Sequence, residues 1–388
     1  MKKFLFWTAL ASVALTGCVK NDVEPNPSLG QDVEITFNQP VVGKVTKAHI
    51  GEIKDAQYPT TESFIVHAWA HKESFNQDTS LVVYIDQQEV EYFDGAGLTG
   101  ADGDNATTGG TFRINPPYYW PKTHYLTFSA FSPAKLKDNP TYADTTKIDL
   151  VNGITLTNVK TPTDIDDHYD LLYSDRVYDQ RERSYTHANN YYYGVDVLFN
   201  HALASVNVQA KWAKDYNYGI PDSLNKIVIT DIHFENVCFQ ATFNENVGGN
   251  RALVNSANRN NATWNNPSNP QSISIKADNT NNLTLNTTAQ TFGVPALFIP
   301  QALTVGGNTK LVVDYTITNT GGVELNETIT FDLSAIEFTN DNDADYVWEI
   351  GKRYTYTLTF GLNEIHLAPY VDSWDPVDAD FDDVFGSI

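Results

Sequence analysis

The sequence predicts an all-β protein built as two tandem antiparallel β-sandwiches, and three observations carry that prediction. Short runs of alternating apolar and polar residues recur along the chain, rich in Thr, Val, Tyr, Phe and Ile and separated by Gly, Pro, Asn and Asp. Helical periodicity is almost absent; residues 164–172 and 334–338 read as a turn or two of helix. The strand pattern restarts near residue 190, dividing the chain into an N-terminal sandwich, 32–190, and a C-terminal sandwich with a tail, 191–388.

Residues 1–17 read as a signal peptide. Lys2 and Lys3 precede an apolar run of about a dozen residues, the length of a signal core and too short to span a bilayer. The run ends in Leu15-Thr16-Gly17-Cys18. Small residues before a cysteine let a peptidase approach the backbone, and the Cys18 thiol is the nucleophile that takes a diacylglycerol. The plainer reading is an ordinary secretory signal with a chance cysteine. With two or more acyl chains anchoring is stable, because each buried CH₂ contributes about 0.8 kcal/mol. Residues 18–31 are polar and Pro-containing, and read as a tether.

The first strand follows at 32–38, where Val33, Ile35 and Phe37 share one face and polar residues take the other, the period of a half-buried strand. Lys44 and Lys47 come next, in a segment that reads as exposed. Residues 63–70 form a strong strand with Phe64, Val66 and Ala68 opposite Ile65, His67 and Trp69; 81–85 and 90–93 are two more. Residues 94–110 read as a Gly- and Asp-rich loop, and prolines bound the extended segments around 117–133. In the second half, 195–208 reads as one long strand or two with a bend, followed by 227–239. Residues 244–286 are Asn-rich and read mostly as loop, with a short strand near 272–275. Residues 310–319 and 327–333 alternate well. So does 354–360, with Tyr354, Tyr356, Leu358 and Phe360 on one face. Beyond 354 there is no Lys or Arg, and six aspartates are interleaved with Trp374, Val377, Phe381 and Val384.

The net charge of −23 argues against nucleic acid, whose phosphates need a basic face. After Cys18 only Cys238 remains, so the fold is expected to hold by burial, with Cys238 a small core residue. No nucleophile elbow or phosphate loop is present, the nine histidines show no HExxH or His-x-His ligand pattern, and among 48 acidic residues a pair of carboxylates carries no glycosidase signal. Asp164-Ile165-Asp166-Asp167-His168-Tyr169-Asp170 has the look of a cation loop but lacks the Gly and distal Glu of an EF-hand, and reads as a solvated turn. His201, among apolar residues, reads as a core histidine. Tyr118-Tyr119-Trp120 is the best candidate for a sugar-stacking platform, although aromatics flanked by Pro at a strand start usually pack inward. No catalytic residue, metal or cofactor is expected.

Several stretches in order resemble the fimbrillin family, the type V pilins of Bacteroidales. They are the lipoprotein start, Thr46-Lys47-Ala48, Phe64-Ile65-Val66-His67-Ala68-Trp69, Tyr119-Trp120-Pro121 with the 126–133 strand, Phe199-Asn200-His201-Ala202-Leu203-Ala204 and the closing 354–374 segment. The resemblance implies two tandem transthyretin-like domains, export as a lipoprotein to the outer membrane and cell surface, proteolytic removal of the N-terminal segment, and polymerisation by strand exchange with other fimbrial subunits. The best-known members are cut after Arg; here the cut would fall after Lys47 or Lys44. The expected function is therefore a non-enzymatic fimbrial subunit or adhesin, with Val33, Ile35 and Phe37 as the strand displaced on processing. Val371, Trp374, Val377 and Phe381 are the candidate donor segment; the expected partners are other fimbrial subunits (self, tip or anchor), the outer membrane through lipid on Cys18 and, for an adhesin, a host or bacterial surface ligand. The alternative is a surface-anchored glycan-binding lipoprotein that does not polymerise.

Overall fold

The computed structural model describes residues 33–43, 57–75, 81–94, 110–150, 152–181, 194–213, 225–246, 262–277, 280–319, 321–338, 346–361 and 365–373. Cys18, Lys44, Lys47, Trp374, Val377 and Phe381 lie outside them.

Among the described residues the chain is almost all strand, with three single-turn 3-10 segments and no α-helix. The N-terminal strands are β1 (Thr36–Phe37), β2 (Val41–Val42), β3 (Phe64–His71), β4 (Val82–Phe93), β5 (Thr111–Ile114) and β6 (Tyr125–Ser132). Next come β7 (Thr145–Asp149), β8 (Gly153–Lys160), β9 (Leu172–Ser174), β10 (Val177–Gln180) and β11 (Leu198–His201). The later strands begin with β12 (Ala204–Trp212), β13 (Asn225–Asn244), β14 (Thr263–Ser274), β15 (Leu283–Thr284), β16 (Gln290–Thr291) and β17 (Ala296–Phe298). They end with β18 (Gln301–Ala302), β19 (Lys310–Asn319), β20 (Glu324–Asp332), β21 (Val347–Trp348), β22 (Lys352–Phe360) and β23 (Ile365–Ser373).

The first sheet has the order β1-β5-β4-β3-β6-β9-β11-β2, with β10 also on β6. Its path begins and ends on one stretch of chain, because only Asn38, Gln39 and Pro40 separate β1 from β2. Residues 33–43 thus close the sheet on itself around a core that includes Phe64, Val66, Phe112, Phe128 and Phe199.

The strand at 64–71 is buried along its whole length, which explains its continuous apolar character. Phe64, Val66, Ala68 and Ala70 enter the first core. Ile65 and Trp69, on the opposite face, enter a second core with Phe131, Leu136, Ile154, Leu156, Tyr169, Tyr173 and Phe243. That second core joins the first sheet to another of order β20-β19-β13-β8-β7, with β14 and β15 also on β13. The third core lies between this sheet and the sheet β16-β12-β22-β23. It receives Val206, Val208, Phe234, Val313 and the whole expected face Tyr354, Tyr356, Leu358 and Phe360.

The stretch read as one strand or two is two, in different sheets: β11 pairs β9, and β12 runs parallel to β22. Between them Ala202 and Leu203 are buried in the second core. The hairpin of β7 and β8 precedes this crossing in sequence yet pairs with β13. The main misreading falls at β14. Beyond the short strand near 272–275 its Asn, Ser and Pro content reads as loop, but the twelve-residue strand pairs with β13 at eight positions, with irregular register at Phe234/Val237 and Gln240/Thr242. The irregular ladder and exposed outer side accommodate Pro267 and Pro270, and Asn266 and Asn269 take positive φ.

A buried charge group ties the β7–β8 turn to its neighbours. Arg176, beside β9, donates to the carbonyls of Asp149 and Leu150 at 2.7 Å each. Glu245, just past β13, accepts from the Ile154 backbone N–H at 2.8 Å. Burial pushes the Glu245 carboxyl up from 4.5 to about 7, with Arg176 pulling the other way. The folded chain thus keeps a proton there that the unfolded chain releases between 4.5 and about 7, so this group's contribution to stability falls as pH rises through that window. His67 and His168, held down to about 4 by burial, act in the opposite sense, their contribution being lost as pH falls from 6.5 through 4. The clean measurement is therefore a difference. Glu245→Gln keeps the acceptor to Ile154, and its stability relative to wild type is expected to rise by on the order of 3 kcal/mol across that window. Denaturant titrations at several pH values read it, and a difference independent of pH would contradict the assignment.

Candidate functional site

The site is the seat of residues 33–43. Their alternation places Ile35 and Phe37 at 0% and 1% exposure in the first core, with Val33 packed at its margin. Val42 is also fully buried. Phe37 makes edge-to-face contacts with Phe64 and Phe128, at ring-centroid distances of 5.6 and 5.9 Å. Burying Ile35, Phe37 and Val42 at about 1.5–3 kcal/mol each gives roughly 5–9 kcal/mol as an upper bound.

The backbone of this segment is hydrogen-bonded on both sides. On one side Ile35 N–H donates to Tyr118 at 2.7 Å, Trp120 N–H donates to Val33 at 2.9 Å, and β1 pairs antiparallel with β5. On the other side it runs parallel to residues 194–199. There Val195 N–H donates to Thr36, Asn38 N–H to Val195, Val41 N–H to Val197 and Gly43 N–H to Phe199, at 2.8–3.2 Å. The Asn38 side chain accepts from Gly194 N–H and donates to Asp196. Gly194 is required by proximity: a Cβ there would lie 2.6 Å from the Phe37 carbonyl carbon and 2.7 Å from Asn38 N. Glu34 is held up by partial burial, with Arg113 opposing.

Withdrawing residues 33–43 would expose the apolar seat of three side chains and two rows of backbone donors and acceptors. That is the arrangement an added strand satisfies. The last described residue of the segment, Gly43, is followed directly by Lys44.

The other sequence candidates resolve as follows. Trp120 is buried against Phe128, Tyr118 is half-buried, and the backbone at 118–120 holds the 33–35 segment; Tyr119 alone of the three is exposed. Asp170 lies 2.9 Å from His201, both buried, so one end of the aspartate-rich loop is turned inward. Asp164 accepts from Asp166 N–H at the start of a 3-10 turn. Cys238 is free and buried, and burial pushes its thiol up. Of the donor candidates, Val371 lies within β23 opposite Tyr354 and is buried in the third core. The sequence reading missed Asp231, His233 and Asp314, which converge from β13 and β19 and have no local spacing signature.

The fimbrillin-like family profile matches residues 47–374. This chain belongs to the fimbrillin-like family. A fimbrial protein from Bacteroides vulgatus shares its fold at a TM-score of 0.55 and 16% identity, covering 88% of this chain and 99% of that one. A protein assigned to cell adhesion from Bacteroides uniformis aligns over 88% of this chain and 99% of its own at 15% identity, with a TM-score of 0.44. The tip fimbrial protein Mfa3 from Porphyromonas gingivalis, C-terminally truncated, covers 89% of this chain and 100% of its own at 9% identity and a TM-score of 0.33. No curated protein matches. Membership places this fimbrillin-like chain among fimbrial proteins of the cell surface, in a structural or adhesive role and with other fimbrial subunits as partners. Among the described residues no helix is long and apolar enough to cross a membrane.

Proposed function

We propose that this fimbrillin-like chain is a fimbrial subunit kept monomeric by residues 33–43 and released for assembly by proteolysis after Lys44 or Lys47. One observation carries the reading: residues 33–43 fill an apolar seat and hydrogen-bond to the chain on both sides, and Lys44 follows Gly43 in the sequence. Cutting there separates the lipid on Cys18, the tether and the strand from the remaining subunit in one step. A donor strand from the next subunit then takes the opened seat.

The donor is the C-terminal segment. Val371 already packs against the third core through β23, so the chain from Trp374 onward, with Val377 and Phe381, is the part that can leave without unravelling an edge strand. Deleting residues 374–388 is expected to leave the monomer folded and abolish assembly; filaments from the deleted chain would remove this segment as donor. The proposed two units divide near residue 190, where the strand pattern restarts; the crossing between sheets after β11 and the pairing of β8 with β13 support two units.

Anchoring rests on the Leu15-to-Cys18 signal. Cys18→Ala is expected to move the protein out of the membrane fraction. Retention of the variant there, with no acyl mass on wild-type Cys18, would exclude lipid anchoring.

A further inference from the structure

On the outer face of the second unit, Asp231 of β13 and Asp314 of β19 stand directly opposite each other. Like charges in that relation destabilise a sheet unless a cation lies between them. His233 follows on the same face, since Ile232 between them is buried in the third core. Each carboxylate is oriented through one oxygen by a hydroxyl from a flanking strand. Ser274 of β14 donates to Asp231 Oδ1 and Thr328 of β20 donates to Asp314 Oδ1, both at 2.5 Å. The other oxygen of each faces one point: His233 Nδ1 lies 3.4 Å from Asp231 Oδ2 and 4.0 Å from Asp314 Oδ2. The second ring nitrogen, Nε2, faces Glu235 Oε1 at 3.9 Å. One donor atom from each of Asp231, His233 and Asp314 lies within 4.8 Å of the other two.

We propose that Asp231, His233 and Asp314 form a binding site for a borderline divalent transition-metal ion, with Zn²⁺ as its type. The donor set is one imidazole nitrogen and two carboxylate oxygens, which suits such an ion and leaves a fourth tetrahedral position open. Calcium takes six to eight oxygens and gains little from imidazole. Around the three ligands stands the outer shell that metal sites use: a carboxylate, Glu235, behind the free ring nitrogen, and hydroxyls holding the unbound carboxylate oxygens. An ion held at about 2.0–2.2 Å from each donor would draw the group inward and neutralise the facing carboxylates. All three side chains are 24–36% exposed, so an ion reaches them from solvent without opening the fold.

The test is calorimetric titration of the chelator-treated full chain with Zn²⁺ alone, repeated with Ca²⁺. One saturable Zn²⁺ site is expected, with weaker or no Ca²⁺ binding. His233→Gln and Asp314→Asn should each lower Zn²⁺ affinity by about 100-fold or more, and Glu235→Gln by about 10-fold. Co²⁺ in place of Zn²⁺ should show tetrahedral visible absorption in the wild type and lose it in His233→Gln. Thr328→Val, which keeps every ligand and only frees Asp314, gives a further reading if a ligand variant misfolds; it should weaken binding by about 10-fold. No saturable Zn²⁺ binding, affinity unchanged in both ligand variants, or Ca²⁺ binding as tight at the same residues would overturn the proposal.

Discussion

Phe37→Ala is expected to lower the stability of the uncut N-terminal unit by about 3–5 kcal/mol and to leave the cut subunit unchanged. Phe37 is fully buried between Phe64 and Phe128, so truncating it leaves a cavity lined by rings, and such surroundings relax only partly into the space. After a cut at Lys44 or Lys47 the residue is no longer covalently part of the subunit. A permanent structural strand would show the same loss before and after cutting. Denaturant unfolding of both forms, followed by tryptophan emission, separates the cases. The weakened strand should also let uncut Phe37→Ala chains self-associate faster than uncut wild type.

Gly194→Val is expected to act on both forms. Its Cβ would press on the backbone of Thr36, Phe37 and Asn38, and backbone cannot swing aside as a flexible side chain can. Overpacking of this kind costs about 1–3 kcal/mol. A donor strand seated in the same place meets the same obstruction, so the variant should lose stability as an uncut monomer and also assemble poorly once cut. Wild-type assembly kinetics in cut Gly194→Val, measured by light scattering, would show that the donor does not use this seat.

The two variants probe what the sequence disclosed best. The alternation of Val33, Ile35 and Phe37 is a local signal; Ile35 and Phe37 fill the seat and Val33 packs at its margin. The 354–360 face was equally plain, because alternation survives wherever one side of a strand meets a core and the other meets polar neighbours. Where both faces are covered, as along β3, the sequence shows a strand but not that its two sides serve different cores. β14, apart from its end near 272–274, was hidden for the opposite reason. Its side chains contribute little burial, and β13 supplies the order through backbone pairing. Closure of the first sheet was also out of reach, since it depends on residues 36–43 meeting 194–199 across more than half the N-terminal unit. The Asp231, His233 and Asp314 group has the same character, being assembled by register between distant strands. The order of weak motifs along the chain pointed to the family, which no single motif did.

The most direct test is size-exclusion chromatography of the purified full chain before and after a trypsin-type cut, with the released fragment followed by mass spectrometry. Cleavage after Lys44 or Lys47 should free the fragment ending there, shift the subunit from monomer to higher oligomers, and fail to do so when residues 374–388 are deleted. A cut chain that keeps residues 33–43 bound and stays monomeric, even in the presence of partner subunits, would contradict strand exchange and make residues 33–43 a permanent part of the fold.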